Sequence, residues 1–264
     1  MLFLLKMNPT FEHVEIGGGK IIAFPDFQLQ LPPIDTGYAD AQIQNYGAGG
    51  GHRHFPFLPG LEMQVTAKFS HEATQLKGTA GFGFWNAPYG DPSVKRPSLP
   101  QAIWFFFASP ENHLPFAPEP GHGWFAATLD SSTWQLLSLL PISPLLLLLN
   151  QFLPIRQHLW PWMQHRMQIT TTSLPVNMTD WHTYRLNWQA NGSQFWVDNT
   201  PLLTTSHTPK GPLGFVCWID NQYLVAKANG RFRWGTIPTR QTQALYLKNI
   251  TISHKNGFDS TKSP

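Results

Sequence analysis

The fifteen carboxylates of this chain are scattered singly, and no two are separated by two or four residues. No single strand can therefore present two of them on one face. A pair for acid/base work has to come from different strands, for example Asp220 with Glu111 or Glu62. Asp220 is the strongest single acid. In Trp218-Ile219-Asp220-Asn221 it stands among bulky apolar neighbours, where lost hydration raises a carboxyl pKa toward the range useful for proton transfer. Glu111-Asn112-His113 sets a carboxylate beside an imidazole and offers a second proton-transfer pair, against the plainer reading of an exposed loop. His122 and Trp124 open the next strand and are candidates to stand across from it. His52-Arg53-His54, after Gly49-Gly50-Gly51, puts two imidazoles on one face if extended, as an acid/base pair or two metal ligands. A solvated glycine-rich loop is the competing reading. No third ligand accompanies them, so the sequence assigns no metal and no cofactor.

The remaining candidates are ligand-binding aromatics and amides: Trp85, Asn86, Trp104, Phe106, Trp124, Trp218 and Asn221. Core packing is the alternative for any one ring. In Gln101-Ala102-Ile103-Trp104-Phe105-Phe106-Phe107 both faces of a strand are apolar, however. At least one face must then line a pocket or lie beneath another element.

The elements that position these residues read as β-strands. Asp180 to Trp188 alternates bulky and polar residues, Asn191-Gly192 signals a turn, and Gln194-Phe195-Trp196-Val197-Asp198 returns as a strand. This hairpin resembles the "HTYRLxW, turn, FxVD" hairpin of the family 16 glycoside hydrolases. Pro59 to Phe69 is similar to that family's "YGxFExRxK" strand, and Gly81-Phe82-Gly83-Phe84-Trp85-Asn86 to its "PAFWL" strand. Residues 212–220 and 244–253 match its late strands, so the resemblance spans about 20–253 apart from one insertion. It implies an all-β, two-sheet antiparallel jelly roll of concanavalin type. It also implies that the strand at 101–107 should carry alternating carboxylates facing a sugar cleft, and that Trp218, Asp220 and Asn221 lie on a late cleft strand. Here the alternate positions are Ala102, Trp104 and Phe106. A retaining glycosidase needs two carboxyl groups about 5 Å apart, and aromatic rings supply neither function. Retaining hydrolysis is therefore not expected.

Composition agrees with one such domain over 1–264. Its 24 prolines and 21 glycines mark many turns between short strands. Charged residues make up 12%, about half the usual share, while the net charge of +3 is mild and no Lys/Arg cluster suggests nucleic acid. Cys217 is the single cysteine, which excludes an intramolecular disulfide and favours a reducing compartment. Met1 to Met7 has neither the basic region nor the apolar length of a signal peptide. A cytoplasmic location is expected.

Residues 131–168 interrupt the strand pattern with an apolar segment containing no Asp or Glu. Helices are expected at 132–140 and from Ser143-Pro144 onward, with Pro154 and Pro161 kinking or ending the run. Three readings compete: a hairpin packed on the sandwich, a wall over the cleft, or a membrane-surface or partner-binding element. The expectation favours the first two together, with the leucines buried against one end of the cleft sheet. An apolar cleft under an apolar wall suggests an enzyme for a small apolar or polycyclic molecule, of isomerase, cyclase or hydratase type. The alternatives are a carbohydrate-binding module (lectin-like), or divergent glycosidase, with an oligosaccharide as ligand, and an interaction protein working through 131–168.

Overall fold

A computed structural model describes residues 6–7, 10–23, 26–47, 54–88, 98–114, 116, 119–133, 138, 140–227 and 232–254. The first strands are β1 (Lys6–Met7), β2 (Glu12–Ile16), β3 (Lys20–Ile22), β4 (Phe27–Leu31) and β5 (Asp40–Gln44). Next come β6 (Leu61–Phe69), β7 (Thr79–Trp85), β8 (Gln101–Ala108) and β9 (Gly123–Asp130). After a helical segment the chain returns as β10 (Thr170–Ser173), β11 (His182–Gln189), β12 (Gly192–Val197) and β13 (Thr200–Thr205). The last are β14 (Gly214–Asp220), β15 (Gln222–Ala226), β16 (Phe232–Thr236) and β17 (Gln243–His254).

These strands form two large antiparallel sheets. The first runs β13-β12-β11-β6-β17-β4-β3, with β1 also on β17; the second runs β10-β9-β8-β7-β14-β5-β2. The final strand sits in the middle of the first sheet, beside β6 and β4, and β14 inserts between β7 and β5. That interleaving of early and late strands makes the fold a jelly-roll sandwich, as expected. Alternation fills the space between the sheets. Phe82 and Phe84 of β7, Phe105 and Phe107 of β8, and Trp124 of β9 meet Tyr184, Leu186 and Trp188 of β11 in one buried core. Each such side chain contributes about 1.5–3 kcal/mol by leaving water.

The β11–β12 hairpin forms as expected but turns one residue earlier than read, pairing Gln189 with Gly192 across Ala190-Asn191. At the following turn Asp198 and Asn199 adopt φ of 49° and 66°, a left-handed conformation that these two residue types tolerate best. The Asp198 carboxylate accepts the Thr183 N–H at 2.8 Å and pairs with His182 Nδ1 at 2.5 Å. His182 is therefore a structural pin of the hairpin.

Between β9 and β10 lie a short 3-10 turn (Leu140–Ile142), α1 (Ser143–Leu149) and α2 (Leu153–Arg166). Ser132 and Thr133 are not helical, and most of the expected first helix, 134–137 and 139, falls outside the described residues. Ser143 opens α1 as its first helical residue, so the cap position falls on Ile142. Pro154 does not break a helix. It begins α2, where its missing N–H costs nothing, and Pro161 is accommodated inside α2.

The expected burial of this segment's leucines is met only in part. The helices lie between β9 and the edge strand β10; Leu146, Asn150 and Gln164 are buried, while Leu145, Leu148, Phe152 and Leu153 are more than half exposed. The base is fastened by Thr133 Oγ1 donating to the Arg166 carbonyl (2.8 Å) and Asp130 N–H donating to the Met167 carbonyl (3.2 Å).

Candidate functional site: an aromatic face with a buried acid pair

The outer face of the second sheet carries the residues of interest, and strand parity decides which they are. On β8 the residues Ile103, Phe105 and Phe107 enter the core, so Ala102, Trp104, Phe106 and Ala108 face outward. Register then aligns neighbours: Trp85 lies beside Ala102 and Gly214, Trp104 beside Gly83 and Ala127, Phe106 beside Gly81 and Phe125, and Trp218 beside Gly81. No carboxylate stands on this face of β7, β8 or β9.

Glycines make the aromatic surface possible. A Cβ on Gly83 would lie 2.5 Å from the Cα and Cβ of Trp104, and one on Gly81 would lie 2.3 Å from the Phe105 carbonyl oxygen. At Gly214 a Cβ would lie 2.3 Å from the Tyr46 ring. The bare backbone of β7 therefore admits large rings from both sides. Trp104 is the hub, with ring centroids 5.8 Å from Trp85, 5.2 Å from Phe106 and 5.4 Å from Trp218. Trp85 and Trp218 lie parallel within 8°, 6.4 Å apart. These contacts fall in the favourable range for aromatic pairs. Phe106 and Trp218 are buried by their neighbours, while Trp85 and Trp104 keep part of their surface in solvent. Indole N–H groups hold the orientation: Trp85 Nε1–H donates to the Tyr46 hydroxyl at 2.8 Å, and Trp218 Nε1–H to Thr79 Oγ1 at 3.0 Å.

Acids occupy one end of this face. Asp40 of β5 and Asp220 of β14 are directly paired across the two strands. Asp220 Oδ1 accepts from Thr79 Oγ1 (2.8 Å), Thr79 N–H (3.2 Å) and Gln222 N–H (3.0 Å). Burial pushes the Asp220 pKa up to about 6 against those hydrogen bonds. Burial also drives Asp40 well above the usual carboxylate range, helped by the charge of Asp220, while a hydrogen bond with Tyr38 pulls the other way. Asp40 Oδ1 is buried with no hydrogen-bond partner among the described residues. Tyr38 in turn is raised by its own burial and by both carboxylates. The result is a desolvated acid pair that favours holding a proton over carrying two charges.

Other expected site residues are dispersed. Trp124 is a correction: it is buried between the sheets, its Nε1–H donates to the Tyr184 hydroxyl at 3.3 Å, and Phe125 takes the outward position. One residue of parity decides this. Asn221 is a second correction, because it bolts loops together. Its amide accepts from Ala39 N–H (2.8 Å) and donates to the carbonyls of Gly37 and Ile237 (3.0 Å each), and it is 1% exposed. Glu111 is an exposed partner of Lys77 at 2.5 Å. Partial burial works upward on its carboxyl, but hydrogen bonds from Lys77 and Ser109 hold its pKa below the usual value. His113 and His122 are exposed; the backbone of His113 bonds Leu224 and Ala226. His54 is exposed, and His52 lies outside the described residues. Among the described residues no three His, Cys, Asp or Glu side chains gather to hold a metal ion.

Asn86 accepts from Gln101 N–H (3.0 Å) and donates to the Leu99 carbonyl (2.9 Å). With Phe55, Ser98, Leu99, Gln101 and Ser132 it lines a recess of about 380 Å³ next in sequence to Trp85. Sequence reasoning missed Asp40, Tyr38, Tyr46 and Thr79. The signals were there in part: Asp40-Ala41-Gln42-Ile43-Gln44 alternates polar with apolar, and Gly81-Phe82-Gly83-Phe84 alternates nothing with bulk.

No family model matches the sequence, and no curated protein does. Among solved structures the chain is similar to a Bacillus licheniformis beta-glucanase, at 11% identity and a TM-score of 0.47, over 96% of this chain and 92% of that one. It is also similar to the Crh5 transglycosylase in complex with NAG, at 10% identity and a TM-score of 0.49, over 94% and 79%. A third is Rv0315 of Mycobacterium tuberculosis, described as an immunostimulatory antigen and pseudo beta-1,3-glucanase, at 11% identity and a TM-score of 0.47, over 89% and 77%. Likenesses this distant say nothing of chemistry; the sandwich is assigned from its own strand order.

Proposed function

We propose that this protein is a non-hydrolytic, carbohydrate-binding jelly roll that stacks sugar rings on Trp85 and Trp104. One observation carries the reading: two partly exposed tryptophans stand side by side on a face where β7, β8 and β9 bear no outward carboxylate. A pyranose ring presents a C–H face to an aromatic ring and hydroxyls around its edge, so it suits an apolar platform with a polar rim. The rim is present. Gln42 of β5 is partly exposed beside Trp218, and Asn86, Ser98 and Ser132 line a recess next to Trp85. The expected enclosed pocket for a small apolar molecule has less support, since Phe106 and Trp218 fill the face with their own rings.

Titrating intrinsic tryptophan fluorescence with β-glucan and galactan oligosaccharides tests the proposal. Saturable quenching that Trp104→Ala abolishes supports it. Saturation by an apolar dye together with indifference to every sugar would sink it.

A second reading rests on the acid pair. Asp220, with a pKa near 6, has the acidity of a general acid/base, and Asp40 adjoins it. Both are buried, so catalysis needs the covering residues to open. Turnover of any glycan that disappears in Asp220→Asn, with the fold intact, would favour this reading over simple binding.

A further inference from the structure

The segment between β9 and β10 leaves many of its apolar residues uncovered. Ile142, Leu145, Leu148, Phe152, Leu153 and Ile155 are 40–60% exposed, and Trp162 is 38% exposed. They lie in the middle of the insertion, farthest in sequence from both strands that anchor it. Isolated exposed apolar residues need no explanation, but this many in one short stretch marks a contact surface.

Charge indicates what covers it. Residues 131–168 contain Arg156, His158, His165 and Arg166 and no Asp or Glu. The Arg166 guanidinium stands 5.0 Å from the Trp162 ring centroid, an aromatic–cation pair suited to the boundary between hydrocarbon and water. Pairing with a second copy through the same surface would bring like charges together, whereas an anionic lipid surface complements them. Insertion across a bilayer is excluded for these helices. The longer, α2, has 14 residues and so reaches about 21 Å, short of a hydrocarbon core of about 30 Å. Among the described residues no helix is long and apolar enough to cross a membrane.

We infer that the α1–α2 segment docks the protein on an anionic membrane surface, with Leu145, Leu148 and Phe152 entering the headgroup boundary and Arg156 contacting lipid phosphates. The aromatic face on β7 and β8 is a separate surface, so this inference does not depend on sugar binding.

The test is co-sedimentation of the full chain with vesicles of phosphatidylcholine alone and of phosphatidylcholine mixed with phosphatidylserine. The expected result is binding to the mixed vesicles that weakens with salt. Arg156→Glu should reduce it at least about fivefold. The triple variant Leu145→Glu, Leu148→Glu, Phe152→Glu should abolish it while leaving the circular-dichroism spectrum and thermal transition unchanged, because these side chains are exposed. Absence of binding to mixed vesicles, equal binding to both vesicle types, or undiminished binding by the triple variant would each overturn the inference. So would concentration-dependent dimerisation that the triple variant removes, which would identify a second copy as the occupant.

Discussion

Asp40 and Asp220 stand opposite each other on neighbouring antiparallel strands, both buried, and the charge of Asp220 adds to the cost of ionising Asp40. Such a pair costs stability whenever it is charged. It therefore gives the fold a dependence on pH opposite to that of an ordinary salt-bridged carboxylate.

Folded Asp220 keeps its proton up to a pKa of about 6, against an ordinary value of 3.8. Between those values the folded state binds more protons than the unfolded one, so stability is greatest below the lower value and falls as pH rises through about 6. Going from pH 7 to pH 5 should recover about 1 kcal/mol from Asp220, or about 2–4 °C in Tm. Asp40, also raised, acts in the same direction. Thermal melts across this range check the sign, and Asp220→Asn should flatten the curve. A Tm that drops steadily on acidification in both proteins would show that the pair does not behave this way.

Trp104 and Trp124 make opposite predictions although both are strand tryptophans. Trp124→Ala empties a core position and should cost about 3–5 kcal/mol. Trp104→Ala removes a partly exposed ring, should cost less, and should weaken oligosaccharide binding about tenfold or more. Denaturant unfolding and sugar titration of the two variants separate the roles. Equal losses of stability would mean that Trp104 is core.

Gly83→Ala asks whether bare backbone on β7 is required. Its new Cβ would lie 2.5 Å from the backbone of Trp104, which cannot yield without moving β8. The expected cost is about 1–3 kcal/mol, the range for overpacked interiors. A change in near-ultraviolet circular dichroism should accompany it as Trp104 shifts. An unchanged spectrum would show that the two strands have slack.

Hydrolysis by the retaining mechanism should be absent. Incubation with β-glucan or galactan should release no new reducing ends, in the parent or in Asp220→Asn, because β8 presents Ala102, Trp104 and Phe106 on this face and the acid pair there, Asp40 and Asp220, is buried. Release that one acid-to-amide change abolishes would contradict this.

The sequence by itself determined the strands and their faces. Alternation in Asp180 to Trp188, the turn at Asn191-Gly192 and the bulk at Gln101 to Phe107 are local patterns, and a period of two leaves little freedom in what each side chain does. It also determined that β8 carries no carboxylate, since that needs only the residue types. Parity slipped once, at Trp124, where a glycine start obscured which residue begins the alternation. Only the tertiary structure decided the rest. Asp40 and Asp220 are 180 positions apart in the sequence and became neighbours because β14 inserts beside β5, a pairing no local pattern encodes. Whether 131–168 roofed the face or left it depended likewise on which strands flank it. The segment lies between β9 and the edge strand β10, where Leu145, Leu148 and Leu153 are exposed and Leu146 is buried.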